Sequence, residues 1–161
     1  MNLPAAKLPK SDPLVIWASL LGVGWLPRAP GTWGSLAAVG LWWWLLADLA
    51  WWWQLLVIGV YFVTGWLSAA LISRRYQIDD AGEIVADEVA GMWLALVWVP
   101  QSWWLVAIAF VLFRLLDVLK PGPIGWLDRN IHGGLGVMLD DLLAGVLVAG
   151  AMLGLLTVLG L

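Results

Sequence analysis

Apolar runs close to bilayer length recur along this chain, separated by short polar connections. A helix needs about 20 consecutive, mostly apolar residues to cross a bilayer core. Residues 33–50, 52–72, 103–119 and 140–161 supply four such runs. Residues 87–99 make a shorter fifth, entered from Ile84 and broken by Pro100-Gln101-Ser102. Lys120-Pro121-Gly122-Pro123 ends the run before it, because proline cannot continue a helix. Composition points the same way: 63% of the 161 residues are hydrophobic and 12% charged, against about 25% charged in a soluble domain. So few charges cannot coat a water-facing surface. The expectation is an all-α, polytopic membrane bundle of four or five spans, forming one domain over residues 1–161 with a polar tail at 1–13. Residues 14–26 are apolar but too short to span. Pro27, Arg28 and Pro30 follow them instead of a small-residue cleavage site, so they read as a retained re-entrant or interfacial helix.

The charges give the bundle a direction. All eight Lys and Arg fall before the first span, between the second and third, or around the connection from the fourth to the fifth. With five spans these segments share one side, which the positive-inside rule makes cytoplasmic. The opposite connections carry tryptophan instead: Trp42, Trp43, Trp44, Trp51, Trp52, Trp53, Trp98, Trp103 and Trp104. Tryptophan favours the membrane–water interface, so these mark the far boundary.

Eleven residues are acidic. Asp12 and Asp48 stand apart; Asp79, Asp80, Glu83, Asp87, Glu88, Asp117, Asp128, Asp140 and Asp141 all map to the cytoplasmic side. Ionisable groups attached to membrane spans are costly and usually functional. Asp87-Glu88 opens the third span and Asp140-Asp141 is expected to open the fifth, so two helix N-termini would present carboxylate pairs to one face. Helix N-termini favour ionised carboxylates and phosphate. Adjacent carboxylates repel, and a cation between them relieves the repulsion. Hard oxygen donors suit Mg²⁺, which keeps waters and bridges to substrate phosphate. Spacings of three place Arg114 beside Asp117 and Asp117 beside Lys120, two cations flanking a carboxylate.

Plainer readings compete. Asp140-Asp141 also reads as a helix cap, Arg114–Asp117 as a structural ion pair, and Asp79, Asp80 and Glu83 as a solvated loop. His132, the sole histidine, lies in a Gly-rich segment and reads as a surface residue without an assigned role. In residues 26–35, Gly31 and Gly34 permit close backbone approach and Thr32 and Ser35 offer hydroxyls, as in phosphate-cradling loops. The same residues also read as a turn capping the first span through Thr32 or Ser35.

Three blocks resemble the phosphatidylglycerophosphatase A family. They are Pro30-Gly-Thr-Trp-Gly-Ser-Leu36; Ile84-Val-Ala-Asp-Glu-Val-Ala-Gly91; and Phe113-Arg-Leu-Leu-Asp-Val-Leu-Lys-Pro-Gly-Pro-Ile124, continuing through Asp128-Arg129 and Gly133-Gly-Leu-Gly-Val-Met-Leu-Asp-Asp-Leu-Leu-Ala-Gly145. The resemblance implies a multi-pass bacterial inner-membrane enzyme with its site at the cytoplasmic face. Such an enzyme removes the terminal phosphate of phosphatidylglycerophosphate with Mg²⁺, leaving phosphatidylglycerol. It further implies that Asp87, Glu88, Asp117, Asp140 and Asp141 form the acidic site and that Arg114, Lys120 and Arg129 meet phosphate. Asp87, Glu88, Asp140 and Asp141 are the expected metal ligands, and the attacking group is water activated by the metal, or Asp117.

The absence of cysteine from the sequence removes thiol phosphatase chemistry, and a lone histidine disfavours a histidine-nucleophile mechanism. Without a basic stripe, nucleic acid is an unsuitable partner. The competing class is a cation or proton transporter lined by intramembrane acids. Acids gathered at one face, with none near mid-membrane to form a relay, argue against it.

Overall fold

The structure is a computed structural model that describes residues 8–78 and 81–161. Lys7, Asp79 and Asp80 lie outside the described residues, so the loop reading of the two aspartates is not addressed. Every regular element among the described residues is helical: α1 (Pro13–Ala18), α2 (Pro30–Leu41), α3 (Trp51–Tyr76), α4 (Ala86–Leu96), α5 (Trp103–Leu119), α6 (Pro123–Asn130) and α7 (Gly133–Leu159), with a 3-10 turn at Val23–Trp25 and a π-turn at Trp42–Leu46 that prolongs α2. The helices α3, of 26 residues, and α7, of 27, are long and apolar enough to cross a membrane.

The short run at 87–99 becomes the hub. α4 packs against α2, α3, α5 and α7. At 1.5 Å per residue it is only about 16 Å long. Eight of its eleven residues are buried, so neighbouring helices surround it.

The tryptophan end is tied together by amides. Gln54 Oε1 accepts from Trp42 Nε1 at 3.0 Å, and Gln54 Nε2 donates to the Leu49 carbonyl at 3.0 Å. Gln101 Nε2 donates to the Trp43 carbonyl at 3.0 Å, joining the α2–α3 and α4–α5 connections. Trp44, Trp51, Trp52, Trp53, Trp98, Trp103 and Trp104 are exposed. Trp42 is not a boundary residue: it is 1% exposed and belongs to the core.

At the other end α1 forms a short hairpin. Asp12 caps it through Leu14 N and accepts from Arg75 Nη1 and Tyr76 Oη, both at 2.6 Å. The Tyr76 hydroxyl, the Leu14 amide and the Arg75 guanidinium hold the Asp12 carboxyl below its ordinary range. Leu20, Leu21 and Gly22 take positive φ and turn the chain back. Ala18 accepts from Val85 N at 2.9 Å, which docks the hairpin beside the start of α4.

One boundary differs from the sequence reading in a way that matters for the site. α7 starts at Gly133, so Asp140-Asp141 lies about two turns inside the helix, at neither its N-terminus nor a cap. Two glycines of the Gly-rich stretch before the pair are contact points inside the helix: a Cβ on Gly134 would lie 2.3 Å from Ala70 N, and one on Gly136 would lie 2.0 Å from the Ile131 carbonyl.

Candidate active site

Asp87 and Glu88 occupy the first turn of α4, after Val85. Asp141 reaches them from α7. One carboxylate oxygen each from Asp87, Glu88 and Asp141 lie within 4.8 Å of one another. Asp87 Oδ1, Glu88 Oε2 and Asp140 Oδ1 are buried without a hydrogen-bond partner among the described residues. Buried carboxylate oxygens left unpartnered are costly, and a bound divalent cation removes that cost. The donor set is all oxygen and anionic, which fits Mg²⁺.

Two glycines bring the acids together. Asp87 and Gly91 are four apart on α4, and Asp141 and Gly145 are four apart on α7, so each pair shares a helix face. A Cβ on Gly145 would lie 2.4 Å from the Gly91 carbonyl, and one on Gly91 would lie 2.5 Å from the Asp141 carbonyl. The backbones touch where the glycines meet, because neither residue carries a side chain to hold them apart. Each aspartate then stands one turn from the crossing, both towards the same end. The repeated Asp-x-x-x-Gly spacing is the signal in the sequence that reading by charge alone misses.

The carboxylates line a cavity of about 300 Å³. Its walls come from the first turn of α2, the start of α4, the end of α5, α6 and the first turns of α7. Residues 30–35 are helix, so they form neither a phosphate-cradling loop nor a side-chain cap. Ala29 starts α2 with φ 70°, and no side chain caps it. Gly31 does allow close approach: a Cβ there would lie 2.1 Å from Glu88 Oε1 and 3.3 Å from Arg114 Nη1. Ser35, fully buried, donates to the Gly31 carbonyl at 2.9 Å and accepts from Arg114 Nη1 at 3.3 Å. It supports Arg114 from beneath and does not line the cavity.

Arg114 Nη1 lies 2.6 Å from Asp117 Oδ2, as the spacing predicts. Lys120 does not join them. It sits just past α5 with φ 44°, which turns its side chain out of the helical register. It instead pairs with Asp128 and, at 2.7 Å, with Asp140 Oδ2. Burial disfavours the ammonium, but hydrogen bonds to Asp128 and Asp140 outweigh burial and hold Lys120 above the ordinary lysine range. Thr32, Arg114 and Arg129 do not line the cavity; Arg114 lies behind Gly31, and Arg129 is exposed on α6. His132, assigned no role from sequence, is exposed as expected, yet it lines the cavity.

The phosphatidylglycerophosphatase A family profile matches residues 16–156. Phosphatidylglycerophosphatase A of Escherichia coli (strain K12) is 42% identical over 157 residues, covering 94% of this chain and 88% of the relative. The Haemophilus influenzae protein of the same name is 36% identical over 146 residues, covering 90% of each. A Bacteroides thetaiotaomicron protein, whose name proposes it as a phosphatidylinositol-3-phosphatase, is 37% identical and covers 87% of this chain and 91% of the relative. No solved structure matches. On the family profile and the identity to two curated members, the chain belongs to the phosphatidylglycerophosphatase A family and is a phosphatase.

Proposed function

We propose that the chain hydrolyses the terminal phosphomonoester of phosphatidylglycerophosphate, leaving phosphatidylglycerol, with Mg²⁺ held by Asp87, Glu88 and Asp141. The observation that carries this reading is the convergence of those three carboxylates, from two helices, with one oxygen each of Asp87 and Glu88 buried and without a partner among the described residues. Mg²⁺ bound there would neutralise charge on the phosphoryl oxygens and ease attack by water.

The chain's own residues supply the rest. Arg114, fixed by Asp117 and Ser35, brings positive charge beside Gly31 and Glu88. Lys120, which itself lines the cavity, brings a second charge and stays protonated because Asp128 and Asp140 hold it. Charges fixed before the reaction need no reorganisation as the phosphoryl group develops charge. Asp140, occupied by Lys120, positions that cation and is not among the primary metal ligands. Asp117, engaged by Arg114, acts in the same positioning role, and water is the attacking group.

We read the chain as one integral-membrane domain. α2 with its π-turn, α3, α4, α5 and α7 run alternately between the acid end and the tryptophan end, with α4 as a short inner crossing. Arg28, Arg75, Lys120 and Arg129 belong to the acid end, which supports a cytoplasmic site in a bacterial inner membrane. The transport reading gains no support, since all three relatives carry phosphatase names.

Purified protein in detergent tests this, by phosphate release from phosphatidylglycerophosphate, phosphatidic acid and phosphatidylinositol 3-phosphate. Release from the first, abolished by EDTA and restored by Mg²⁺, is expected. Full turnover in EDTA overturns the metal assignment. Hydrolysis of either other lipid without phosphatidylglycerophosphate overturns the substrate.

A further inference from the structure

The geometry points to His132 as the general acid that protonates the departing glycerol oxygen. This rests on the phosphomonoesterase reading of the same cavity. That chemistry leaves an alkoxide, a poor leaving group unless a proton arrives as the bond breaks, and a positioned acid contributes about 10²–10⁴-fold. His132 and Lys120 are the cationic-type N–H donors lining the cavity. Lys120 is taken by Asp128 and Asp140 and held in its charged form. The imidazole of His132 has no hydrogen-bond or ion-pair partner among the described residues, so its ring nitrogens are free to meet a substrate oxygen.

Its position suits the role. Asp141 is buried, and Asp87 and Glu88 are half-buried with one oxygen each enclosed, whereas His132 is exposed. A cavity of about 300 Å³ admits a phosphorylated head but not the diacylglycerol behind it. The phosphoryl group therefore enters first, and the ester oxygen to glycerol faces the mouth, where His132 stands. The backbone around the imidazole is pinned. Gly133 takes φ +74°, and Gly134 presses on α3, where a Cβ would lie 2.3 Å from Ala70 N.

The step balances without a further reactant. Water oxygen bonds to phosphorus, and the bond from phosphorus to the glycerol oxygen breaks. The electron pair stays on that oxygen, and the imidazolium N–H delivers its proton there. The attacking water loses a proton to solvent, and solvent reprotonates His132. The products are the alcohol and inorganic phosphate.

The test compares His132→Gln with the unaltered enzyme on two lipids: phosphatidylglycerophosphate and an analogue fluorinated beside the terminal ester oxygen, whose alkoxide leaves readily. We expect kcat on the natural head group to fall about 10²-fold or more, with a loss at least tenfold smaller on the fluorinated lipid. Competitive inhibition by inorganic phosphate should be unchanged, which reports an intact site. Equal losses on both lipids, or no loss on either, overturn the assignment of His132. If the unaltered enzyme releases nothing from phosphatidylglycerophosphate, the substrate reading fails instead.

Discussion

The two acidic pairs reach one cavity by different routes. Asp87-Glu88 sits in the first turn of the buried hub helix α4, where free N–H groups favour negative charge. Asp140-Asp141 sits inside α7, where the backbone is already paired and gives no such help. The pairs also differ in their cations. Asp140 has Lys120, whereas no Lys or Arg among the described residues lies within ion-pair distance of Asp87, Glu88 or Asp141. The three acids without a cation are the three that converge. The comparison therefore separates ligand from support along a line that crosses both pairs: Asp141 joins the α4 residues, and its neighbour Asp140 does not.

The largest effect should follow that line. Asp141→Asn and Glu88→Gln each remove a converging carboxylate and should lower kcat at least about 10³-fold, a barrier increase of roughly 4 kcal/mol. Asp140→Asn leaves the trio intact and frees Lys120, so a loss nearer tenfold is expected. Phosphate release at saturating Mg²⁺ measures all three. If Asp140→Asn were as damaging as Asp141→Asn, the division between ligand and support would collapse.

The next effect tests how α7 delivers its carboxylate. Gly91→Val would place a side chain where the Asp141 carbonyl lies 2.5 Å from the Cβ position. Overpacking of this kind costs about 1–3 kcal/mol, and a 1 Å displacement of Asp141 would cost about 10²-fold in turnover. Gly150→Val, on α7 with nothing within 4 Å of its Cβ position, should change stability by no more than about 0.5 kcal/mol. Thermal unfolding in detergent, read beside turnover, distinguishes the two. Equal behaviour would mean that the glycine crossing does not set the site.

Much of this was legible in the sequence, and the exceptions have physical causes. The all-helical class follows from the apolar runs, and the Asp87-Glu88 helix start follows from acids placed before an apolar run. Asp140-Asp141 reads as a helix start in sequence because glycines normally signal a break, whereas Gly134 and Gly136 serve close packing inside α7. Helical spacing puts Lys120 beside Asp117, but the helix ends one residue earlier and the left-handed backbone of Lys120 redirects its side chain. His132 had no partner pattern to reveal it, since only the fold brings α7's start to the cavity. Thr32, Arg114 and Arg129 carry suitable chemistry but do not line the cavity, which spacing cannot disclose.

The smallest effect concerns the cation that only the α7 pair possesses. Lys120 ties the end of α5 to α6 through Asp128 and to α7 through Asp140. Its side chain is 32% exposed, so the tether contributes about 1 kcal/mol or less to stability after solvent screening. The sign follows from the raised folded-state value. Stability from such a group is fully present below the unfolded lysine pKa, about 10.4, and is lost as pH rises through the higher folded value. The difference in thermal midpoint between the unaltered chain and Lys120→Met should therefore stay constant from about pH 7 to about pH 10 and shrink only above that range. A difference that vanished near neutral pH would show that Asp128 and Asp140 do not hold the ammonium. Asp140 would then be as free of a cation as Asp87 and Glu88, and the two pairs would differ only in where their helices begin.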